Sequence, residues 1–147
     1  MQARGINPEL ECFDAGMINY AKYLIAKGIL QPPFYFNILL GNVAGAQADL
    51  MQIGLLLHSL PSGALCALAG FGAAQLKVNT IAVAEGGGVR VGLEDNIWFD
   101  AGRTQLATNI MLVKRAHEIA QLFGRRVMKP ATFGKMWFYN KGRLANG

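Results

Sequence analysis

The chain has 147 residues, of which 52% are hydrophobic and 16% are charged, and its formal net charge is +5. This length allows one ordinary hydrophobic core, and the charged fraction lies below the roughly 25% of typical soluble domains. No apolar run reaches the about 18 residues of a membrane helix, and residues 1–8 lack the apolar centre of a signal peptide. We therefore expect no membrane partner and a cytoplasmic location.

The basic residues concentrate in the last third of the chain. Nine of the fourteen Lys and Arg residues lie at or after Arg103, where Glu118 is the only acid, and residues 132–147 are interpreted as a basic tail. No zinc-finger or RNP signature accompanies this charge. A solvated face is the favoured interpretation, the phosphates of a small cofactor come second, and no nucleic-acid partner is expected.

Cysteine and histidine spacing excludes several kinds of site. Cys12 and Cys66 form no Cys-x-x-Cys pair, which argues against a zinc knuckle, a redox motif or a disulfide scaffold. His58 and His117 lack partners at metal-ligand spacing, so both are interpreted as structural.

Strand-like and helix-like segments alternate along the chain. Residues 34–40 are continuously apolar apart from Asn37, which is typical of a strand buried on both faces. Pro, Gly and capping residues separate the segments. The pattern predicts strands over residues 9–14, 34–40, 64–69 and 89–94, and helices over residues 17–26, 47–60, 73–84 and 104–123.

About four β/α units of this kind predict an α/β fold with a parallel sheet. They fit either a small doubly wound domain or half of an eight-unit barrel. Glu9 and Glu11 share one face of the first strand, as Arg90 and Glu94 share one face of the fourth. A barrel interior that gathers charge at its mouth explains both pairs, so the half-barrel is favoured.

The fourth strand carries the candidate chemistry. After three glycines, apolar residues alternate with polar residues or glycine, and a surface hairpin with an exposed ion pair is the competing interpretation. Glu94 and Asp95 are adjacent, so one can bind a metal while the other acts as a base. Arg90 would hold a carboxylate or stabilise an enolate. The alternating residues are Val89, Arg90, Val91, Gly92, Leu93 and Glu94.

A glycine pair at Gly70 and Gly72 opens the third helix and invites comparison with dinucleotide-binding loops. Gln75 occupies the position of the third glycine, and no acidic residue follows at the expected offset. A dinucleotide site is therefore disfavoured.

Two motifs resemble the β-keto acid cleavage enzymes. One is Gly-Gly-x-Val-Arg-Val-Gly-Leu-Glu-Asp-Asn at residues 86–96, and the other is Pro-Glu-Leu-Glu-x-Phe-Asp-x-Gly-Met at residues 8–17. The resemblance runs from about Ile6 to Ala131. It implies a zinc-dependent TIM barrel of about twice this length, which moves CoA from acetyl-CoA onto the distal part of a β-keto acid and releases acetoacetate.

The same resemblance implies residue roles. Glu94 is expected to bind zinc, Asp95 to be the general base, Arg90 to support that base and the developing negative charge, and Glu11 to contact the substrate. The family's His-x-His zinc motif is missing from the chain, and catalytic zinc normally has three protein ligands. Gly88 also stands where relatives often carry a larger side chain, which would alter the substrate fit.

The chain is thus interpreted as the C-terminal half of such an enzyme, inactive alone. A half-barrel has two open sheet edges, which a missing N-terminal half-barrel or self-association would cover. The alternative is a non-catalytic truncated remnant or a self-associating α/β scaffold.

Overall fold

The computed structural model describes Met1 and residues 6–138, with the side chains of residues 137 and 138 left out of the description. Strands and helices alternate through most of this length. The strands are β1 (Glu9–Cys12), β2 (Tyr35–Leu40), β3 (Leu65–Gly70) and β4 (Gly88–Val89), and the main helices are α1 (Ala15–Ala26), α2 (Leu50–Ser59), α3 (Gln75–Ala84) and α4 (Asn109–Leu122). A 3₁₀ turn (Gly72–Ala74) precedes α3, and a short helix α5 (Pro130–Phe133) runs into a π-helical turn (Gly134–Phe138).

The four strands form one parallel sheet in the order β1-β2-β3-β4. This order follows the chain without the reversal that defines a doubly wound sheet. The prediction of an α/β fold with a parallel sheet is confirmed, and the arrangement is consistent with a partial β/α barrel.

The hydrophobic core lies on one side of the sheet. Alternate strand residues such as Phe36, Ile38 and Leu68 are almost fully buried and pack with Ile18 of α1 and Val78 of α3. Because side chains alternate along a strand, the intervening residues point to the opposite face. Residues paired in register share that face, and one such row is Glu11, Asn37, Ala67 and Gly88.

Side-chain caps determine where the helices begin. Asp14 Oδ1 accepts from Met17 N at 2.9 Å and starts α1, and Asp49 Oδ1 accepts from Gln52 N at 2.9 Å and starts α2. Such a cap contributes about 1 kcal/mol. The second helix therefore begins at residue 50 rather than at the predicted residue 47.

The last long helix also begins later than predicted. Asp100 accepts hydrogen bonds from the amides of Thr104 and Gln105, which holds these residues in a turn. Thr108 Oγ1 then accepts from Met111 N at 3.2 Å and caps α4. The prediction of a helix from residue 104 was wrong because Asp100 captures the backbone amides there.

The fourth strand is much shorter than predicted. Its pairing with β3 ends after Arg90, whose amide donates to Leu68 O at 3.1 Å. Gly92 O then accepts from the amides of both Asp95 and Asn96 at 3.2 Å, which turns the chain. The prediction of an alternating strand that runs through Glu94 is therefore wrong, and the carboxylates of Glu94 and Asp95 lie on a loop.

Two other sequence predictions concern the whole chain. No helix within the described residues is long and apolar enough to cross a membrane. Of the predicted basic tail, the first part lies in α5 and the π-helical turn, and residues 139–147 lie outside the described residues.

Candidate active site

Arg90 stands at the centre of a cluster of three carboxylates. Its Nη1 lies 2.6 Å from Glu11 Oε1 and its Nη2 lies 3.2 Å from Glu94 Oε2. Its Nε lies 3.8 Å from Asp95 Oδ2. The structure thus brings together all four residues that the sequence singled out.

The position of Arg90 follows from the sheet. Arg90 comes directly after β4, and Glu11 lies on β1 at the far side of the sheet. Three strand spacings amount to about 14 Å, and the two long side chains reach toward each other over this distance to form the ion pair. Ala67 of β3 lies on this face between the two outer strands, and its small side chain leaves room for the guanidinium to cross.

The three carboxylates differ in their exposure to solvent. The side chain of Glu94 is 82% exposed and that of Glu11 is 48% exposed, whereas that of Asp95 is only 2% exposed. Arg90, at 23%, lies between these extremes. Glu94 and Glu11 are therefore accessible to a solute, and Asp95 is sheltered from water.

The Asp95 carboxyl has a raised pKa and one oxygen without a hydrogen-bond partner among the described residues. Burial raises the pKa of its carboxyl above the ordinary value; Arg90 opposes this rise, and the negative charges of Glu94 and Glu11 add to it. Among the described residues its Oδ1 is buried without a hydrogen-bond partner. A carboxylate with a raised pKa and a free oxygen suits general-base chemistry.

The described residues do not fit a complete zinc centre. Within residues 6–138 no group of three or more His, Cys, Asp or Glu side chains is placed to hold a metal ion. Glu94, the residue expected to bind zinc, is an exposed carboxylate paired with Arg90. Because zinc takes about three protein ligands in catalytic sites, these residues could supply only part of such a site.

A cavity of about 790 Å³ lies away from the Arg90 cluster. It is bordered by apolar side chains that include Leu57, Val83, Val113 and Met128, and none of the four cluster residues lines it. The cluster therefore does not form part of that cavity.

Sequence reasoning missed two buried polar residues near the cluster. Asn37 shares the face of Glu11, is 3% exposed, and has an Oδ1 without a partner in the described part of the chain. A polar residue inside an apolar strand was the available signal. Gln75, which was considered only for breaking a glycine motif, is fully buried beside the loop that carries Asp95. Glu9 was expected on the Glu11 face, but it makes none of the three ion pairs to Arg90.

A sequential parallel β/α sheet with an arginine and carboxylates at the strand ends is the kind of site found in β/α enzymes. The family model for "beta-keto acid cleavage enzyme" matches residues 1–136. The chain belongs to the β-keto acid cleavage enzyme family.

Curated relatives support the same family. The chain is 38% identical over 128 residues to a 3-keto-5-aminohexanoate cleavage enzyme of Fusobacterium nucleatum, covering 86% of this chain and 46% of the relative. It is 35% identical over 130 residues to a 3-dehydrocarnitine:acetyl-CoA trimethylamine transferase of Rhizobium meliloti, covering 88% and 43%. It is 30% identical over 130 residues to a 3-oxoadipate:acetyl-CoA acetyltransferase of Cupriavidus necator, covering 86% and 45%. The chain spans less than half the length of these relatives.

Proposed function

We propose that this chain is the C-terminal half of a β-keto acid cleavage enzyme and acts only together with the missing half. In the proposed reaction the bond between the acyl group and the CH₂–COO⁻ carbon of the keto acid breaks. The acetyl group of acetyl-CoA joins that carbon to form acetoacetate, and CoA takes up the acyl group. The observation that carries this proposal is the Arg90 cluster, assembled from residues far apart in a chain of this family.

Asp95 is proposed as the general base. A base that removes a proton from the carbon between the keto and carboxylate groups is more effective when its pKa is raised from that of an ordinary carboxyl toward the working pH. The burial of Asp95 and its free Oδ1 support this role. Arg90 faces the same carboxylate, so its positive charge can hold Asp95 in place and offset the negative charge that develops on the substrate.

Glu11 is proposed as a substrate contact. Its side chain is about half exposed, and its Oε1 lies 2.6 Å from Arg90 Nη1. It can therefore meet a polar part of the substrate while it keeps the guanidinium oriented. Neighbouring Asn37 lies in register with Glu11 on the same face.

The proposal assigns this chain only one zinc ligand. Glu94 is accessible and could contribute one ligand, while the remaining ligands would come from outside the described residues. No step proposed for Asp95, Arg90 or Glu11 depends on zinc. The zinc content of the dialysed chain tests this: a chain that alone holds one zinc per polypeptide would contradict it.

The experiment that tests the function is reconstitution. The chain is mixed with the part of the Fusobacterium nucleatum relative that it does not match, and acetyl-CoA is supplied with a panel of β-keto acids. Acyl-CoA formation by the mixture, and not by either part alone, is expected. Absence of acyl-CoA from a mixture that forms a stable complex would contradict the proposal.

A second candidate is a non-catalytic remnant or self-associating α/β scaffold. The observation that favours it is that β1 and β4 each pair with only one neighbour in the sheet of the described residues, since open edges of this kind tend to associate. Sedimentation analysis of the chain, alone and mixed with the other half, distinguishes the two candidates. An assembly of the chain with itself that persists when the other half is added favours the scaffold.

A further inference from the structure

A hydrogen-bonded network holds the loop that carries Asp95. Asn96 donates from Nδ2 to Trp98 O at 2.7 Å and accepts at Oδ1 from Trp98 N at 3.0 Å. The same Nδ2 lies 3.4 Å from Oε1 of Gln75, the fully buried first residue of α3. The residue next to Asp95 is therefore joined both to its own loop and to a helix.

Arg115 of α4 approaches the same amide oxygen. Its Nη2 donates to Gln75 Oε1 at 3.1 Å and its Nη1 donates to Phe99 O at 2.5 Å. Its guanidinium also lies over the Phe99 ring, 4.7 Å from the centroid. A planar guanidinium presents donors in fixed directions, so one side chain sets the positions of Gln75 and Phe99 relative to each other.

Arg115 makes these contacts without an acidic partner. All three ion pairs found among the described residues belong to Arg90, and burial lowers the pKa of Arg115. A partly buried guanidinium loses favourable solvation free energy, and hydrogen bonds to neutral acceptors recover only part of it. Stability alone is therefore a poor reason for an arginine at this position.

The network closes around the backbone of Asp95. Gly72, three residues before Gln75, donates its amide to Asp95 O at 2.8 Å. On the other side, the amide of Leu93 donates to Asn109 Oδ1 at 3.1 Å at the start of α4. The loop of Asp95 is thus held between the beginnings of α3 and α4, and Arg115 joins the two helices.

We propose that Arg115 is a positioning residue that acts through Gln75 and Asn96 to keep the Asp95 carboxylate beside Arg90. This inference rests on the proposed function, in which Asp95 is the base. Arg115 itself touches no reacting atom. Its effect is on where the loop lies when the substrate arrives, because a base must lie within hydrogen-bond reach of the proton it removes.

The test is nuclear magnetic resonance of the ¹⁵N-labelled 147-residue chain. Arg115→Leu is compared with Lys114→Leu, which removes the same charge from an exposed neighbour on α4. Two signals report on the loop: the Arg90 Nε–H resonance, which lies near Asp95 Oδ2, and hydrogen exchange of the Gly72 amide. The Ile38 amide of the central strand β2 reports on global unfolding.

Arg115→Leu is expected to shift the Arg90 Nε–H resonance and to speed Gly72 exchange by about tenfold or more while Ile38 stays unchanged. Lys114→Leu is expected to change none of the three signals. Arg115→Lys keeps a single cationic donor group, and its signals should lie between those of the parent and Arg115→Leu. If Arg115→Leu does not fold, the Arg115→Lys comparison decides.

Two results would overturn the inference. One is parental Gly72 exchange and an unshifted Arg90 resonance in the Arg115 variants. The other is equal acceleration at Gly72 and Ile38 with an unshifted Arg90 resonance, because Arg115 would then only stabilise the fold. Neither measurement needs turnover, so a failure of the proposed reaction is seen separately in the reconstitution assay.

Discussion

Arg90 Nη1 and Glu11 Oε1 lie 2.6 Å apart although 79 positions separate these residues in the chain. The contact joins the residue directly after the last strand of the sheet to the first strand. It also places a positive charge against the buried carboxyl of Asp95. The first prediction concerns this ion pair.

Glu11→Gln should change the free energy of unfolding by only about 0–1 kcal/mol, because a half-exposed ion pair contributes little. Arg90→Met should cost more, since Asp95 then loses its positive neighbour while Glu11 and Glu94 remain. Urea denaturation of both variants measures the difference. A larger loss for Glu11→Gln than for Arg90→Met would contradict the central position of Arg90.

Asp95→Asn should stabilise the folded chain at neutral pH. The folded-state pKa of this carboxyl is raised, so the unmodified chain loses stability as the pH rises from the unfolded pKa through the folded pKa. Replacing the carboxylate removes that loss. The gain should be on the order of 1 kcal/mol at pH 7 and should shrink as the pH falls toward about 4.

Urea denaturation at several pH values measures this gain. Asp100→Asn is the control, because hydrogen bonds from Gln105 and Thr104 lower the pKa of Asp100. Its carboxylate therefore stabilises the fold above its unfolded pKa, and this contribution is lost as the pH falls through the folded pKa. Asp100→Asn should accordingly destabilise at neutral pH. A gain in stability at neutral pH from Asp100→Asn, or a loss from Asp95→Asn, would contradict the pKa directions assigned to these two carboxyls.

Gly70→Ala should destabilise the chain by about 1–3 kcal/mol through overpacking. A Cβ at this position would lie 2.7 Å from Gln75 Cα and 2.8 Å from the Ala74 carbonyl, so backbone would have to move. Gly54→Ala is the matched control on α2, where a Cβ meets nothing within 4 Å. There the change should stabilise by about 0.5–1 kcal/mol. Thermal unfolding of the pair checks the opposite signs.

The thiols of Cys12 and Cys66 should be unreactive in the folded chain. Burial raises the pKa of Cys12 to about 11 and that of Cys66 to about 12, so little thiolate, the reactive form, exists at pH 8. A thiol-specific chromogenic reagent should label both only after denaturation. Rapid labelling of the native chain would show that the thiols are accessible and their pKa values ordinary.

The interior strands could be predicted from sequence because their signal is continuous. The ranges for β2 and β3 match the apolar runs to within a residue, since a strand buried between neighbours needs apolar side chains along its length. The sequence also singled out Arg90, Glu94 and Glu11, which the structure brings together, but the strand alternation used to place Glu94 was wrong because Glu94 lies on a loop. The prediction of the fourth strand was wrong because the hydrogen bonds that Gly92 O accepts turn the chain, although apolar and polar residues alternate over six positions there.

The contacts of Gln75 and Arg115 could not be predicted in this way. Both residues lie on helices whose sequence pattern says nothing about the loop they meet, and the contact between them spans 40 positions. The burial of Asp95 also depends on contacts between residues far apart in the sequence. Its adjacency to Glu94 was visible, but the difference in exposure between the two side chains depends on tertiary packing.

The turnover of the reconstituted enzyme with Asp95→Asn tests the central claim most directly. With acetyl-CoA and a β-keto acid, loss of a general base should lower the rate of acyl-CoA formation by about 10²–10⁴-fold, while Asp100→Asn should retain the parental rate. A rate for Asp95→Asn within about twofold of the parent, in a complex that still assembles, would contradict the role of Asp95 and the site built around Arg90.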